Sequence, residues 1–181
     1  MLRNSENSFG WVAIVMHWIS AIAVIGLFAL GWWMVELNYY SEWYRTAPHW
    51  HKSVGLLLAA FILLRLGWKF VNIAPKAIGN PWEKRLAGLA HAALYGLLLS
   101  IFCSGYLIST ADGRGIEIFD WWTVPGFGEL LENQEDVAGL VHEYLAYGLI
   151  VLVVLHALAA LKHHFIDKDN TLRRMLRVLK N

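Results

Sequence analysis

The stretch that decides the fold is HEYLAYGLIVLVVLHALAALKHHF, His142–Phe165. Between its first histidine and His156 the only charged residue is Glu143, and Leu145 to Leu155 shows almost no polar face. A helix on the surface of a soluble bundle carries a polar stripe. A helix crossing a bilayer needs about 20 apolar residues and no such stripe. The fourteen-residue step from His142 to His156 is about 21 Å of helix and close to four whole turns. Both imidazoles therefore occupy one face of one span, separated by most of the membrane thickness. An ionisable side chain within a span is costly and marks a function.

Three further blocks share this character. The chain has 181 residues, 57% hydrophobic and 16% charged, where soluble domains carry about a quarter. Spans are expected at about 11–35, 51–71, 86–110 and 138–161, joined by segments punctuated with Pro48, Pro75, Pro81, Gly113 and Gly115. The first block is too long for a signal-peptide core and lacks a small-residue cleavage site, so it reads as a retained span. The fold class is all-α: an integral membrane four-helix bundle forming a single domain over 1–181. The lipid bilayer is its medium, no nucleic-acid partner is expected, and a homo-oligomer is left open.

Charge sets the orientation. With antiparallel spans, twelve of the fifteen Lys and Arg residues fall on one side, among them Arg3, Lys84, Arg85, Arg173, Arg174 and Lys180. Only Glu6, Glu83, Asp167 and Asp169 oppose them there. The other side holds Arg45, Lys52 and Arg114 against ten acids, seven of them between Asp112 and Asp136. Basic excess marks the cytoplasmic face, which puts both termini in the cytoplasm and an acidic loop, 111–137, outside. Trp11, Trp18, Trp32, Trp33, Trp43, Trp121 and Trp122 fall near predicted span ends, as interfacial aromatics do.

Sequence position then becomes depth. His17 lies early in the first span and His156 late in the fourth, both at the inner level; His51 opens the second span and His142 lies early in the fourth, both at the outer level. Facing helices in a bundle build cofactor sites from such pairs. Structural zinc wants about four ligands at one centre, whereas two and two at different depths suit the two axial positions of haem iron. The single cysteine, Cys103, and the lack of a C-x-x-C-H signature exclude covalent attachment, leaving b-type haem. Cys103 itself reads as a small packing residue.

The same fourteen-residue step links His17 to Gly31 and His51 to Arg65. Gly31 would let a flat macrocycle lie against backbone, and Arg65 is placed at the inner level for a haem propionate or for snorkelling to the interface. His91 opens the third span at the inner depth and competes with His17 by position alone. His163, seven beyond His156 on the same face, suits a propionate or a quinone head group, or a plain interfacial role. His49 reads as an interface residue and His164 as a surface one.

The segments VMHWISA (Val15–Ala21), HKSVG (His51–Gly55), HAALYGLLL (His91–Leu99), GYLIST (Gly105–Thr110), HEYLAY (His142–Tyr147) and HALAALKHHFIDKDNTLRRM (His156–Met175) resemble the bacterial cytochrome b561 family over nearly the whole chain. The resemblance implies an inner-membrane, multi-pass cytochrome with two bis-histidine haem b groups. It implies His17 with His156 for the inner haem, in preference to His91, and His51 with His142 for the outer. It further implies electron exchange with quinone, ubiquinone included. One branch of the family oxidises superoxide, which makes a superoxide:ubiquinone oxidoreductase one alternative. The b-subunits of hydrogenases and formate dehydrogenases offer another, a haem-bearing membrane anchor for a periplasmic dehydrogenase. The outer tally of three basic against ten acidic residues opposes capture of an anion and favours a basic periplasmic redox protein or a neutral molecule. A metal-ion transporter would need carboxylates within the spans, where only Glu143, near an edge, qualifies.

Overall fold

The computed structural model describes residues 1–179; Lys180, counted above among the inner basic residues, lies outside the described residues. Four long helices dominate: α1 (Trp11–Met34), α2 (Thr46–Phe70), α3 (Pro81–Thr110) and α4 (Gln134–Phe165). Each is long and apolar enough to cross a membrane. Between α3 and α4 lies a two-stranded antiparallel hairpin, β1 (Ile116–Ile118) and β2 (Trp122–Val124), and a short α5 (Arg173–Leu176) follows α4.

Helix ends explain why the helices outrun the apolar blocks. Pro81 opens α3, where a missing N–H costs nothing. Glu83 then reaches back so that its Oε2 accepts the Asn80 N–H at 2.9 Å, half of a capping box. At the start of α4 stand Glu135 and Asp136, and at its end Lys162, His163 and His164. Each set complements the helix dipole at that end. The expected spans at 51 and 138 therefore begin earlier, at Thr46 and Gln134, because the helices continue into polar residues beyond the hydrocarbon-matched core.

Most apolar side chains on these helices are exposed, including Ile22, Ile25, Leu63, Leu64, Val151 and Val154. In a membrane that surface meets lipid tails. Cys103 is exposed as well, so it belongs to this outer surface and is not the packing residue its small size predicts.

The chain forms two compact units, each with its own buried interior. The first comprises Met1–Ala21, Phe61–Tyr95 and the chain from Val151 on. Its interior includes Ser8, Ile14, Ser20 and Ile62. The chain ends are strapped onto it: the Leu179 N–H donates to Ser8 Oγ at 2.9 Å, Trp18 Nε1 to the Met175 carbonyl at 2.7 Å, and the Lys76 N–H to the Glu6 carbonyl at 2.8 Å. Gly10 passes so close to the Leu2 and Arg3 backbone that no side chain would fit there.

The second unit comprises Ile22–Ala60 and Gly96–Ile150. Buried Gln134 ties its loop together: Nε2 donates to the Leu107 carbonyl at 2.9 Å while Oε1 accepts the Leu130 N–H at 2.7 Å. The hairpin turns through the three residues Phe119, Asp120 and Trp121 between paired Ile118 and Trp122; Phe119 and Asp120 are both at positive φ (45° and 62°), and the Trp121 N–H donates to the Ile118 carbonyl at 2.9 Å. Phenylalanine is an uncommon residue in that region of backbone space. Here the Phe119 N–H donates to Ser53 Oγ at 3.1 Å, and the Ser53 hydroxyl donates to the Glu117 carbonyl at 3.3 Å. Ser53 is fully buried, so a single hydroxyl on α2 pins β1 and the start of the turn that follows it. Nearby, Arg114 Nε donates to Asp112 Oδ2 at 2.7 Å, and this bond holds the Asp112 carboxyl below its ordinary value.

Candidate functional site

Each unit contains one of the expected histidine pairs. In the first, the His17 ring on α1 faces that of His156 on α4, with centroids 6.2 Å apart. In the second, His51 on α2 faces His142 on α4, also at 6.2 Å. Two imidazoles on opposite sides of one metal, with bonds of about 2.0 Å and roughly 1.1 Å from nitrogen to ring centre, stand about 6.2 Å apart. Both pairs match that separation. His91 also lies in the first unit, but its ring centre is 5.4 Å from that of His156, too close for a metal to sit axially between them.

The ring nitrogens behave differently at the four positions. His142 Nδ1 lies 3.1 Å from the Ile101 carbonyl and 3.1 Å from Ser104 Oγ. A carbonyl only accepts, so Nδ1 carries the proton and Nε2 keeps a free lone pair. That is the arrangement by which a second partner orients a metal-binding histidine. His51 Nδ1 is buried with no hydrogen-bond partner. His17 Nδ1 sits 2.9 Å from an Arg65 guanidinium nitrogen. Arginine only donates, so in this arrangement His17 accepts at Nδ1.

Glycines make room for the rings. A side chain built on Gly31 would come within 3.1 Å of His51 Cε1, and one on Gly105 within 3.1 Å of His142 Cε1. Gly31 thus leaves room for the His51 imidazole. Gly105 has the same role for His142 and was missed, although it lies in the quoted GYLIST segment. Facing imidazoles and glycine cradles fit haem.

Arg65 reaches His17, and its guanidinium carbon also lies 5.6 Å from the Tyr95 ring centre, beside Lys69 Nζ at 5.2 Å. Tyr95 and Lys69 carry no signal in the sequence that would single them out. His163 faces carboxylates: its Nδ1 lies 2.8 Å from Asp167 Oδ2 and 3.2 Å from Asp169 Oδ2. Lys162 Nζ sits 2.7 Å from both Glu83 Oε1 and Asp167 Oδ2. Glu83, His163 and Asp167 could converge on a cation, but the Lys162 ammonium already supplies that charge. His164 is half-buried against Phe165 and not a free surface residue, and His49 packs on Phe119.

Comparison with known proteins agrees with this geometry. Residues 8–177 match the family model described as prokaryotic cytochrome b561. The chain is 47% identical to "Cytochrome b561 homolog 2" of Escherichia coli over 96% of its own length and 93% of that protein's. It is 29% identical to "Probable superoxide oxidase CybB" of Yersinia pestis, covering 94% and 97% of the two chains. It is also 29% identical to "Cytochrome b562" of Cereibacter sphaeroides, covering 95% and 97%. Four membrane-crossing helices, histidines disposed to hold haem b and a family match over nearly the whole length lead to one conclusion: the chain belongs to the prokaryotic cytochrome b561 family, and is an electron-transferring membrane cytochrome of the bacterial inner membrane.

Proposed function

We propose that this cytochrome carries two haem b groups and passes electrons between the quinone pool and a periplasmic donor or acceptor. The observation that carries the reading is the equal 6.2 Å spacing of the two histidine pairs. His17 and His156 hold one haem and His51 and His142 the other. Bound between two imidazoles, haem supplies a one-electron couple with no open iron position. The protein's own residues do the rest. Ile101 and Ser104 orient His142, Gly31 and Gly105 admit the rings, and Arg65 neutralises a propionate. His163, with Asp167 and Asp169, serves a propionate or the quinone head group. The basic excess around the termini supports a cytoplasmic location for both.

The test is reduction by quinol. Purified protein should hold two haems per chain by pyridine haemochrome and give a low-spin electron paramagnetic resonance spectrum. Addition of a short-chain ubiquinol should reduce the haem bands. Two low-spin haems that no quinol reduces would remove quinone from the reading.

The likeness to "Probable superoxide oxidase CybB" favours a second reading, superoxide oxidation at the outer face. The acid-rich outer segments weigh against it, because a negative field slows an approaching anion. Stopped-flow mixing with superoxide distinguishes the two: haem reduction near the diffusion limit supports the second reading.

A further inference from the structure

The hairpin of the second unit has an outer face that neither the histidine pairs nor the spans explain. Its inner face is Ile116 and Ile118, both buried. On its other face Glu117 is paired with Thr123, and the turn adds Asp120 and the exposed indole of Trp121; the exposed indole of Trp122, paired with Ile118, edges the same shallow groove. Neither carboxylate has an ion-pair partner among the described residues, and the one arginine of the loop, Arg114, is committed to Asp112. Carboxylates beside indole faces are the chemistry that holds lysine and arginine side chains. Interfacial tryptophans that anchor a protein to anionic lipid are instead accompanied by basic residues. Here the flanking charges are negative.

An aromatic series runs from the groove to the helix that carries His51. The Trp121 ring centre lies 5.6 Å from that of Phe119, and Phe119 lies 5.1 Å from Trp50. Trp50 is the chain neighbour of His51. An aromatic series thus leads from the exposed hairpin to the ligand helix, and Ser53 fixes its middle member in place. The geometry points to the hairpin groove lined by Glu117, Asp120, Trp121 and Trp122 as the docking surface for a lysine-rich one-electron redox protein. This rests on the electron-exchange reading above and adds to it the place of contact and the character of the partner. One electron crosses per encounter: the partner's centre gains what the outer haem loses, or the reverse, and no proton or group is transferred.

The test uses the haem-loaded full chain, reduced and held in phosphatidylcholine nanodiscs, mixed in a stopped-flow instrument with oxidised mitochondrial cytochrome c. The control is the same cytochrome c with its lysines acetylated, which keeps the haem and removes the positive charge. At low salt the native form should be reduced at least tenfold faster than the acetylated form, and the ratio should fall toward one as salt screens the contact. Glu117→Lys with Asp120→Lys should collapse that ratio, and Phe119→Leu should lower the saturating rate severalfold at unchanged affinity. Equal, salt-independent rates with both acceptors would overturn the docking surface and leave electron exchange standing. Reduction of neither acceptor would bring down both. A double charge reversal that leaves the ratio intact would overturn the proposal. So would quenching of the Trp121 emission, taken as the difference from Trp121→Phe, by brominated phosphatidylcholine, because that hairpin would lie in lipid.

Discussion

An Arg65 guanidinium nitrogen lies 2.9 Å from His17 Nδ1. Guanidinium cannot accept, and a neutral imidazole bound to iron through Nε2 must carry its proton on Nδ1. Two donors would then face each other. With haem held by His17, Arg65 would have to turn away from that ring and would be free to pair with a haem carboxylate. A positive charge held close to the iron disfavours its oxidised state. Arg65→Met should accordingly lower the midpoint potential of one haem by some tens of millivolts, about 1–2 kcal/mol at an effective dielectric near 20, and leave the other unmoved. A spectroelectrochemical titration in the α-band region reads this directly; two unshifted potentials would separate Arg65 from the haem.

The pair spacings give a second prediction. His142→Ala and His156→Ala should each lose about one of two haems, and by different members, since the two pairs share no ligand. His91→Ala should retain both, because its 5.4 Å approach to His156 is too short for an axial partner. Pyridine haemochrome assays on the three variants decide the matter. Loss of haem from His91→Ala together with retention in His17→Ala would exchange their roles.

Gly31 and Gly105 make a third case. A methyl group at either position would come 3.1 Å from a histidine ring carbon, so Ala requires a shift of a few tenths of an ångström. Val at either site should exclude one haem from its ligand rings while far-ultraviolet circular dichroism keeps its helical signal. A valine variant with full haem content and an unaltered α band would show that the rings have slack.

Ser53 yields the fourth. Replacing it with Ala removes one hydroxyl that serves the hairpin twice, leaving the Phe119 N–H unpaired in a partly buried turn at a cost of about 1–3 kcal/mol. Hydrogen exchange at Phe119 should accelerate in proportion, about tenfold per 1.4 kcal/mol if exchange follows local opening. Unchanged protection would mean the turn is held by its own strands.

The membrane fold was readable from sequence because a bilayer imposes a single long-range demand, and uninterrupted runs such as Leu145–Leu155 answer it. Helix ends were less readable. Apolarity marks the hydrocarbon crossing, while Pro81 and Gln134 begin their helices by local capping and dipole chemistry outside it. Antiparallel spans also convert residue number to depth, which sets His51 level with His142 but leaves both His17 and His91 level with His156; depth alone does not choose between those two, and only the family resemblance favoured His17. Which nitrogen of each ring is free depends on contacts such as Ile101 with His142, thirty-eight or more residues apart in the chain, and no spacing rule reports them. The hairpin escaped notice because its strands have three residues each and its turn, residues 119–121, lacks the glycine that usually announces one.

Ser53 stands two positions beyond His51 on the same helical turn while grasping the hairpin from beneath. Anything that seats on that hairpin pulls on the stretch of α2 that carries His51, a ligand in the proposed haem site. Tilting such a ring alters the ligand field at iron, so occupancy of the surface should register as a small displacement of one Soret component before any electron moves. The protein would then carry its own optical reporter of who has arrived.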